Sequence, residues 1–186
     1  GGTNSSEYEL LTSNSLQIMN SGVTPFNTID LTDAVSIVSY LKSLGYSTLG
    51  THTEPGINYN RIRGYNDLGF DIVKFSDQYE NLDYYYKRWY ETDASVYKNL
   101  ERWYEEMGDG PRFLYLLTIQ NHGDWKFNEA ECYTVHVTQS EFGSTELTDV
   151  VNEFLTSIQL SDEAFLELTD YFKNVDRHVI VCMVGD

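Results

Sequence analysis

Four short stretches of this 186-residue chain carry side chains suited to chemistry on anionic esters. Thr3 follows two glycines at the head of a polar run, GGTNSSEYELLTSNSL. His52 stands nine residues before Arg61, with Arg63 just beyond. Asn121, His122 and Gly123 follow one apolar run, and Asp186 closes another. A threonine hydroxyl is a weak nucleophile until a base or a metal lowers its pKa. At a helix N-terminus it also gains from the dipole and from N–H groups that favour an anion. Aspartate is a hard oxygen ligand suited to Mg2+ or Mn2+. Arginine and histidine donate to phosphoryl oxygens, arginine often in bidentate fashion. Brought together, these groups would serve metal-assisted phosphoryl or sulfuryl transfer. Each also has a plainer use. A threonine before a helix is most often a cap, a histidine in an Asn-His-Gly run a turn residue, Arg61 a surface group, and a terminal-strand aspartate a cap for the next helix.

The segments between them must do the positioning. Residues 3–14 read as a helix behind the glycines. TDAVSIVSYLKSL at 32–44 puts Val35, Val38, Leu41 and Leu44 on one face, with Gly45 as the stop. YSTLGTH at 46–52 then reads as a strand. Residues 53–91 read as irregular, with a short helix near 58–67 ending at Gly69. The tract YENLDYYYKRWYE at 79–91 is too aromatic for a solvated loop and is expected to pack down as a cover. Thr92 is a good N-cap for a helix over 93–107 striped by Val96, Leu100, Trp103 and Met107. RFLYLLTIQ at 112–120 and HVIVCMVGD at 178–186 read as buried strands. Between these strands, residues 146–174 form a long helical pattern with Val151, Phe154, Ile158, Phe165, Leu168 and Phe172 on one side. Apolar strands alternating with helices imply an α/β fold, a largely parallel sheet covered on both faces. Ligands in such sheets bind at the carboxyl ends of the strands, which directs attention to 51–61, 120–125 and 185–186.

Composition narrows the classes. Hydrophobic residues make up 41% and aromatics 15%, which excludes a disordered chain and supplies a core for roughly one domain. The net charge of −17, with only 12 Lys and Arg, argues against nucleic acid as a partner, including at the aromatic tract. Cys132 and Cys182 are far apart, and Cys182 in its apolar run reads as a buried free thiol. No apolar stretch approaches the ~20 residues that span a bilayer, and no signal peptide is visible.

Read in series, the motifs resemble the lipoteichoic acid synthase and phosphoglycerol transferase branch of the sulfatase/alkaline-phosphatase superfamily. GGTNSSEYELLTSNSL is similar to that family's nucleophile segment, and HTEPGINYNRIRGYNDLGFD to its substrate segment. LTIQNHGDW resembles its Thr-x-x-Asn-His strand end, and MVGD the start of its Gly-Asp-His metal motif. The resemblance covers essentially the whole chain in order. It implies a three-layer alkaline-phosphatase/sulfatase-like α/β domain, incomplete here, with a largely parallel sheet flanked by helices. Thr3 would be the nucleophile and a metal ligand, and Asp186 a second ligand for Mn2+ or Mg2+. His52, Tyr59, Arg61 and His122 would contact the substrate phosphate or its glycerol, with Glu54 a weaker candidate. The implied reaction has two steps. Thr3 attacks the phosphate of a phosphatidylglycerol-type lipid and releases diacylglycerol. Phosphoglycerol then passes to a glycerophosphate polymer or glycolipid acceptor at the extracellular face of a bacterial membrane.

The family pattern also includes an acidic ligand upstream of the nucleophile, a His after the Gly-Asp pair, and a membrane anchor. The 186 residues are therefore expected to be a middle portion of a catalytic domain, with half the metal shell and weak metal binding alone. Apolar sheet edges left exposed would open a route to oligomers. His136 and His178 match no family motif. The tract 79–91 and residues 126–145 are where acceptor or lipid specificity is expected. Two other readings stay open. One is a sulfatase or phosphodiesterase acting on a small anionic ester, although the Cys/Ser-x-Pro-x-Arg pattern of formylglycine sulfatases is missing. The other is a non-catalytic domain that binds anionic polymers or lipids.

Overall fold

The computed structural model describes residues 2–20, 22–85, 89–125, 132–138 and 143–185. In chain order its elements are α1 (Thr3–Thr12), α2 (Pro25–Thr28), α3 (Ile37–Ser43), β1 (Ser47–His52), α4 (Arg61–Asp67), β2 (Ile72–Lys74), β3 (Tyr84–Tyr85), β4 (Tyr90–Glu91), α5 (Asp93–Glu106), β5 (Arg112–Leu117) and α6 (Thr145–Lys173). Two compact units are present. The first comprises Gly1–Tyr79, Arg102–Leu117 and Cys182–Asp186, and the second Glu80–Glu101 and Thr118–Val181.

The first unit is an α/β layer. Its sheet is parallel throughout, in the order β2-β1-β5, with Leu49 opposite Ile72 and Leu114, and His52 opposite Leu117. β1 is the central strand and buries five consecutive residues after Ser47, as expected of a strand covered on both faces. Helix α1 turns Asn4, Glu7, Tyr8 and Leu11 inward, a spacing of three and four residues that marks one helical face. Tyr8, Leu11, Phe26, Val38, Tyr65, Phe70 and Phe75 form the core. Tyr65 is its hub, edge-on to Phe26 and Tyr115 and stacked on Phe75. α4 closes on this core through Gly64, where any Cβ would run into the Phe26 ring.

The α/β class and parallel sheet hold, but the strand list changes. β2 lies in what reads as irregular sequence. It is a short run, Ile72-Val73-Lys74, set off by Gly69 in the left-handed region. Residues 178–184, expected as a buried strand, form no strand. Ile180 is 89% exposed and Met183 63%. A continuous apolar run becomes a strand only where another backbone meets its N–H and C=O groups, and among the described residues none pairs with this one. Cys182 is accordingly exposed, not buried. β5 is half-buried along its whole length because the described sheet ends with it. The helix expected over 32–44 begins only at Ile37, where the Ser36 hydroxyl accepts from the Ser39 N–H as N-cap. Val35 thus lies outside the helix at 81% exposure, Leu44 is exposed, and Val38 alone of the expected face is fully buried.

The second unit contains the antiparallel β3–β4 pair, the first part of α5, and α6. The long helix is where expected, opened by Ser144 as N-cap. Its buried face follows the apolar stripe only in part. Leu168 is buried and Val151, Phe165 and Phe172 are half-buried, but Phe154 and Ile158 are exposed, while Thr148, Asn152, Thr156, Ser157 and Ser161 are buried. The cause is what lies against it. The Thr156 hydroxyl accepts from the N–H of Thr134 and of Val135, and Asn152 Oδ1 accepts from Val137 N–H. An irregular segment has no ladder partners, so the helix supplies acceptors instead. In the aromatic tract Tyr79 and Tyr85 are buried but Tyr84 and Trp89 are exposed; residues 86–88 lie outside the described set. No described helix is long and apolar enough to cross a membrane.

Candidate functional site

The first unit gathers four of the expected residues around a buried ion pair. Glu7 on α1 receives Arg61 Nε at 2.9 Å and Nη2 at 2.8 Å, and the Tyr65 hydroxyl at 2.6 Å. All three side chains are essentially buried. Burial works against the Arg61 charge, but the hydrogen bonds and charge of Glu7 outweigh it and raise the guanidinium pKa. Burial and the neighbouring Glu7 push the Tyr65 hydroxyl up as well, so it stays a donor. Arg61 therefore does not lie on the surface. Its Nη1 is the least engaged arm, with one long contact of 3.4 Å to the Asn58 carbonyl.

His52, at the carboxyl end of β1, is 3% exposed. Burial and the charge of Arg61 push its pKa down to about 4, against a hydrogen bond to Leu117 that works the other way. The ring is therefore neutral at pH 7. Since a carbonyl only accepts, Nδ1–H donates to the Leu117 oxygen at 3.0 Å, and Nε2 carries the lone pair. Tyr59 and Asn60 are consecutive non-glycine residues at positive φ, 53° and 57°. Such backbone persists where surroundings over-determine it and clusters at functional sites. Here it holds the half-exposed Tyr59 ring 5.1 Å from the Arg61 guanidinium. Glu54 accepts from Asn58 Nδ2 and belongs to this turn.

Thr3 is the first residue of α1, and the N-cap is Gly2, which has no side chain to cap with. The plain reading of Thr3 as a cap thus fails. Its half-buried hydroxyl makes no recorded hydrogen bond among the described residues. Glu7 is four residues on, so the two side chains share a face with Cβ atoms roughly 6 Å apart. Glu7 thus bonds Arg61 and shares a helix face with Thr3, and the charge of Arg61 reaches His52. Beside them are polar atoms with no partner among the described residues. Both amide atoms of Asn4 are buried and unpaired, and so is the Thr53 hydroxyl next to His52. Leaving such a group unsatisfied costs about 1–3 kcal/mol, so these atoms call for partners beyond the described residues.

His122 lies in the second unit. It is exposed, and its Nδ1 is 3.1 Å from the Tyr90 hydroxyl. Its neighbour Asn121 is fixed by α6: Nδ2 donates to Ser161 Oγ at 2.8 Å, and Oδ1 accepts a short bond from the Ser157 hydroxyl. Gln120 donates to the same Ser161, which in turn donates to Asp93 at 2.6 Å. Burial raises the Asp93 pKa, although the Ser161 and Thr118 hydroxyls oppose it. Asp186 lies outside the described residues. Sequence reasoning missed Glu7 and Tyr65 as partners of Arg61, and the Asp93–Ser161 network. The three-and-four spacing of Asn4, Glu7, Tyr8 and Leu11 was a usable signal for the first; the second had none, since its members are scattered over 68 positions. His136 is exposed against Tyr133, and His178 is exposed.

As a metal seat, the described residues offer the Thr3 hydroxyl as a hard oxygen. They hold no cluster of three or more His, Cys, Asp or Glu side chains.

A family model described as Sulfatase matches residues 1–186, and the chain belongs to that family. A Rhizobium meliloti (strain 1021) protein assigned to cyclic β-1,2-glucan modification is 26% identical over the whole chain, which spans 28% of that protein. The phosphoglycerol transferase GacH of Streptococcus pyogenes, solved with sn-glycerol-1-phosphate, superposes with a TM-score of 0.76 at 19% identity, over 95% of this chain and 46% of GacH. The lipoteichoic acid synthase LtaP of Listeria monocytogenes gives 0.71 at 18% identity, over 92% of this chain and 40% of LtaP. The chain thus spans under half the length of each, and at these identities the two structures speak for the fold.

Proposed function

We propose that this sulfatase-family chain carries part of the active site of a phosphoglycerol transferase, with Thr3 as the nucleophile. The observation that supports it best is the buried Glu7–Arg61 pair, whose Glu7 shares a face of α1 with Thr3 and whose Arg61 charge acts on His52, with an uncommitted hydroxyl at the mouth of α1. Thr3 Oγ attacks the phosphorus of a phosphatidylglycerol-type lipid and the diacylglycerol oxygen leaves. An acceptor hydroxyl then attacks phospho-Thr3 and takes the phosphoglycerol, restoring the hydroxyl. Neutral His52 offers Nε2 to accept a hydrogen bond from substrate, and Tyr59 lays a ring beside it over Arg61. Arg61, paired with Glu7, brings directed N–H groups rather than a net charge. His122 serves as a further substrate contact. Mn2+ or Mg2+, held by Thr3 and Asp186 with ligands from elsewhere, belongs to this reading, as does action at the extracellular face of a bacterial membrane.

The acceptor is a cell-envelope polymer. A glycerophosphate chain or glycolipid fits the two structural relatives, and the glucan named for the Rhizobium meliloti protein adds an oligosaccharide to test. In the full-length protein, Thr3→Ala should abolish diacylglycerol release from phosphatidylglycerol vesicles. Undiminished release in that variant overturns the proposal. A panel of soluble sulfate and phosphate esters separates it from the hydrolase alternative, which predicts turnover of a small ester without lipid.

A further inference from the structure

We propose that Asn4 is a substrate-binding residue, its side-chain amide donating to a non-bridging oxygen of the tetrahedral anion held at the mouth of α1. This rests on the transferase reading only in placing such an anion beside Thr3.

Asn4 occupies the place on α1 where an apolar residue would complete the inward stripe of Tyr8 and Leu11. It is 3% exposed, and neither Nδ2 nor Oδ1 has a partner among the described residues. Native proteins rarely strand a buried amide, so a partner beyond the described residues is called for. The direction is set by helix geometry. Cα–Cβ bonds tilt toward the helix N-terminus, so the second residue of α1 sends its side chain to the mouth of the helix and not down toward Glu7.

That mouth is suited to an anion. Gly2 brings no side chain to cap it, and its carbonyl already takes the N–H groups of Ser5 and Ser6. The N–H groups of Thr3 and Asn4 have no acceptor among the described residues, and they lie at the positive end of the helix dipole. No acidic residue stands in the first turn, although the chain carries 29 Asp and Glu. Asn4 therefore adds a third, side-chain donor beside two backbone donors and the Thr3 hydroxyl. Oδ1 cannot face the anion and is left to accept from a hydroxyl of the ester. Phosphoryl and sulfuryl esters share the tetrahedral oxygens that this donor set recognises.

The test uses the 15N-labelled full-length protein. Side-chain amide resonances are followed while inorganic phosphate, inorganic sulfate or sn-glycerol-1-phosphate is added in separate titrations, with the Asn4 pair assigned by its loss in Asn4→Asp. The Asn4 pair should shift and saturate with at least one anion, and the arm that saturates first names the ester class. Asn4→Leu should weaken that binding by about tenfold or more without lowering the unfolding temperature, since a leucine of similar shape removes the stranded amide. Asn4→Asp, which sets a carboxylate against the anion, should weaken it further. The proposal is overturned by an Asn4 resonance that stays still at saturation, by unchanged affinity in Asn4→Leu, or by a chain that binds none of the three anions. If Asn4→Leu fails to fold, the wild-type resonance decides. The two proposals fail separately. A full-length protein that does not act on lipid, while the Asn4 amide still saturates, sinks the transferase reading alone. Full-rate lipid turnover by Asn4→Leu sinks this one alone.

Discussion

Each unit buries a carboxylate, and the two are held in opposite ways. Glu7 in the first is met by a guanidinium and a phenol, so charge answers charge. Asp93 in the second is met by the Ser161 and Thr118 hydroxyls and by no cation among the described residues, and burial pushes its pKa up. The first arrangement is rigid and costly to break from either side, because removing one partner strands a charge. The second is a network of neutral donors in which each bond is weaker and each loss smaller. The difference matches their tasks. Glu7 and Arg61 tie α1, which presents Thr3, to α4, which follows Tyr59. The Asp93–Ser161 network fixes the side chain of Asn121, directly ahead of an exposed His122.

The contrast can be tested by breaking each side. Arg61→Leu should lose about 3–5 kcal/mol of stability by urea unfolding at pH 7, since it leaves Glu7 buried and unpaired. Adding Glu7→Met should recover much of that loss, while the double variant keeps no ordered Tyr59. A double variant no more stable than Arg61→Leu would mean that the pair is not the unit described here. The second effect is on pH. His52 ionises near 6.5 in the unfolded chain and about 4 in the folded one, so between those values the unfolded state binds the extra proton. Stability from this residue is complete above pH 6.5 and falls by about 1.4 kcal/mol per pH unit toward pH 4. His52→Gln should remove up to one proton from that slope in unfolding curves at pH 4.5, 5.5 and 6.5.

In the second unit the effects should be smaller. Ser161→Ala removes the hub of three hydrogen bonds and should cost about 1–3 kcal/mol, with the Asn121 side-chain amide signal broadening in NMR. Asp93→Asn should do the least and in the other direction. The raised pKa of Asp93 means that its charged form is disfavoured at pH 7, and stability from this residue falls as pH rises through the folded value. Asn keeps the acceptor for Ser161 without the charge, so a gain at pH 7 smaller than the Ser161→Ala loss, shrinking as pH falls, is expected. A loss as large as that of Arg61→Leu would erase the distinction between the two units.

Much of the fold was legible because periodicity and punctuation are local. The long helix Thr145–Lys173, the helix opened behind Thr92, the strand Ser47–His52 and the short helix before Gly69 all follow from spacing, caps and stops. What a face would meet was legible only in part: Val96, Leu100 and Trp103 are buried as expected, but other faces are not. The apolar stripe through Phe154 and Ile158 is real in the sequence, yet the helix buries Asn152, Thr156 and Ser157 because an irregular segment needs acceptors there. Residues 178–184 are as apolar as β5, yet only β5 has a strand beside it.

The site divides along the same line. Sequence alone supplied the candidate inventory of Thr3, His52, Tyr59, Arg61 and His122, since side-chain chemistry and order along the chain are intrinsic to it. Tertiary structure decided their states. Arg61 is neutralised by Glu7, His52 is stripped of its proton by burial beside Arg61, and Thr3 is left uncommitted because Gly2 is the cap. Those outcomes depend on desolvation and on partners distant in sequence, 54 residues for Glu7 and Arg61, and 65 for His52 and Leu117. Only a folded chain brings such groups close enough, in a medium dry enough, for one to set the charge of another.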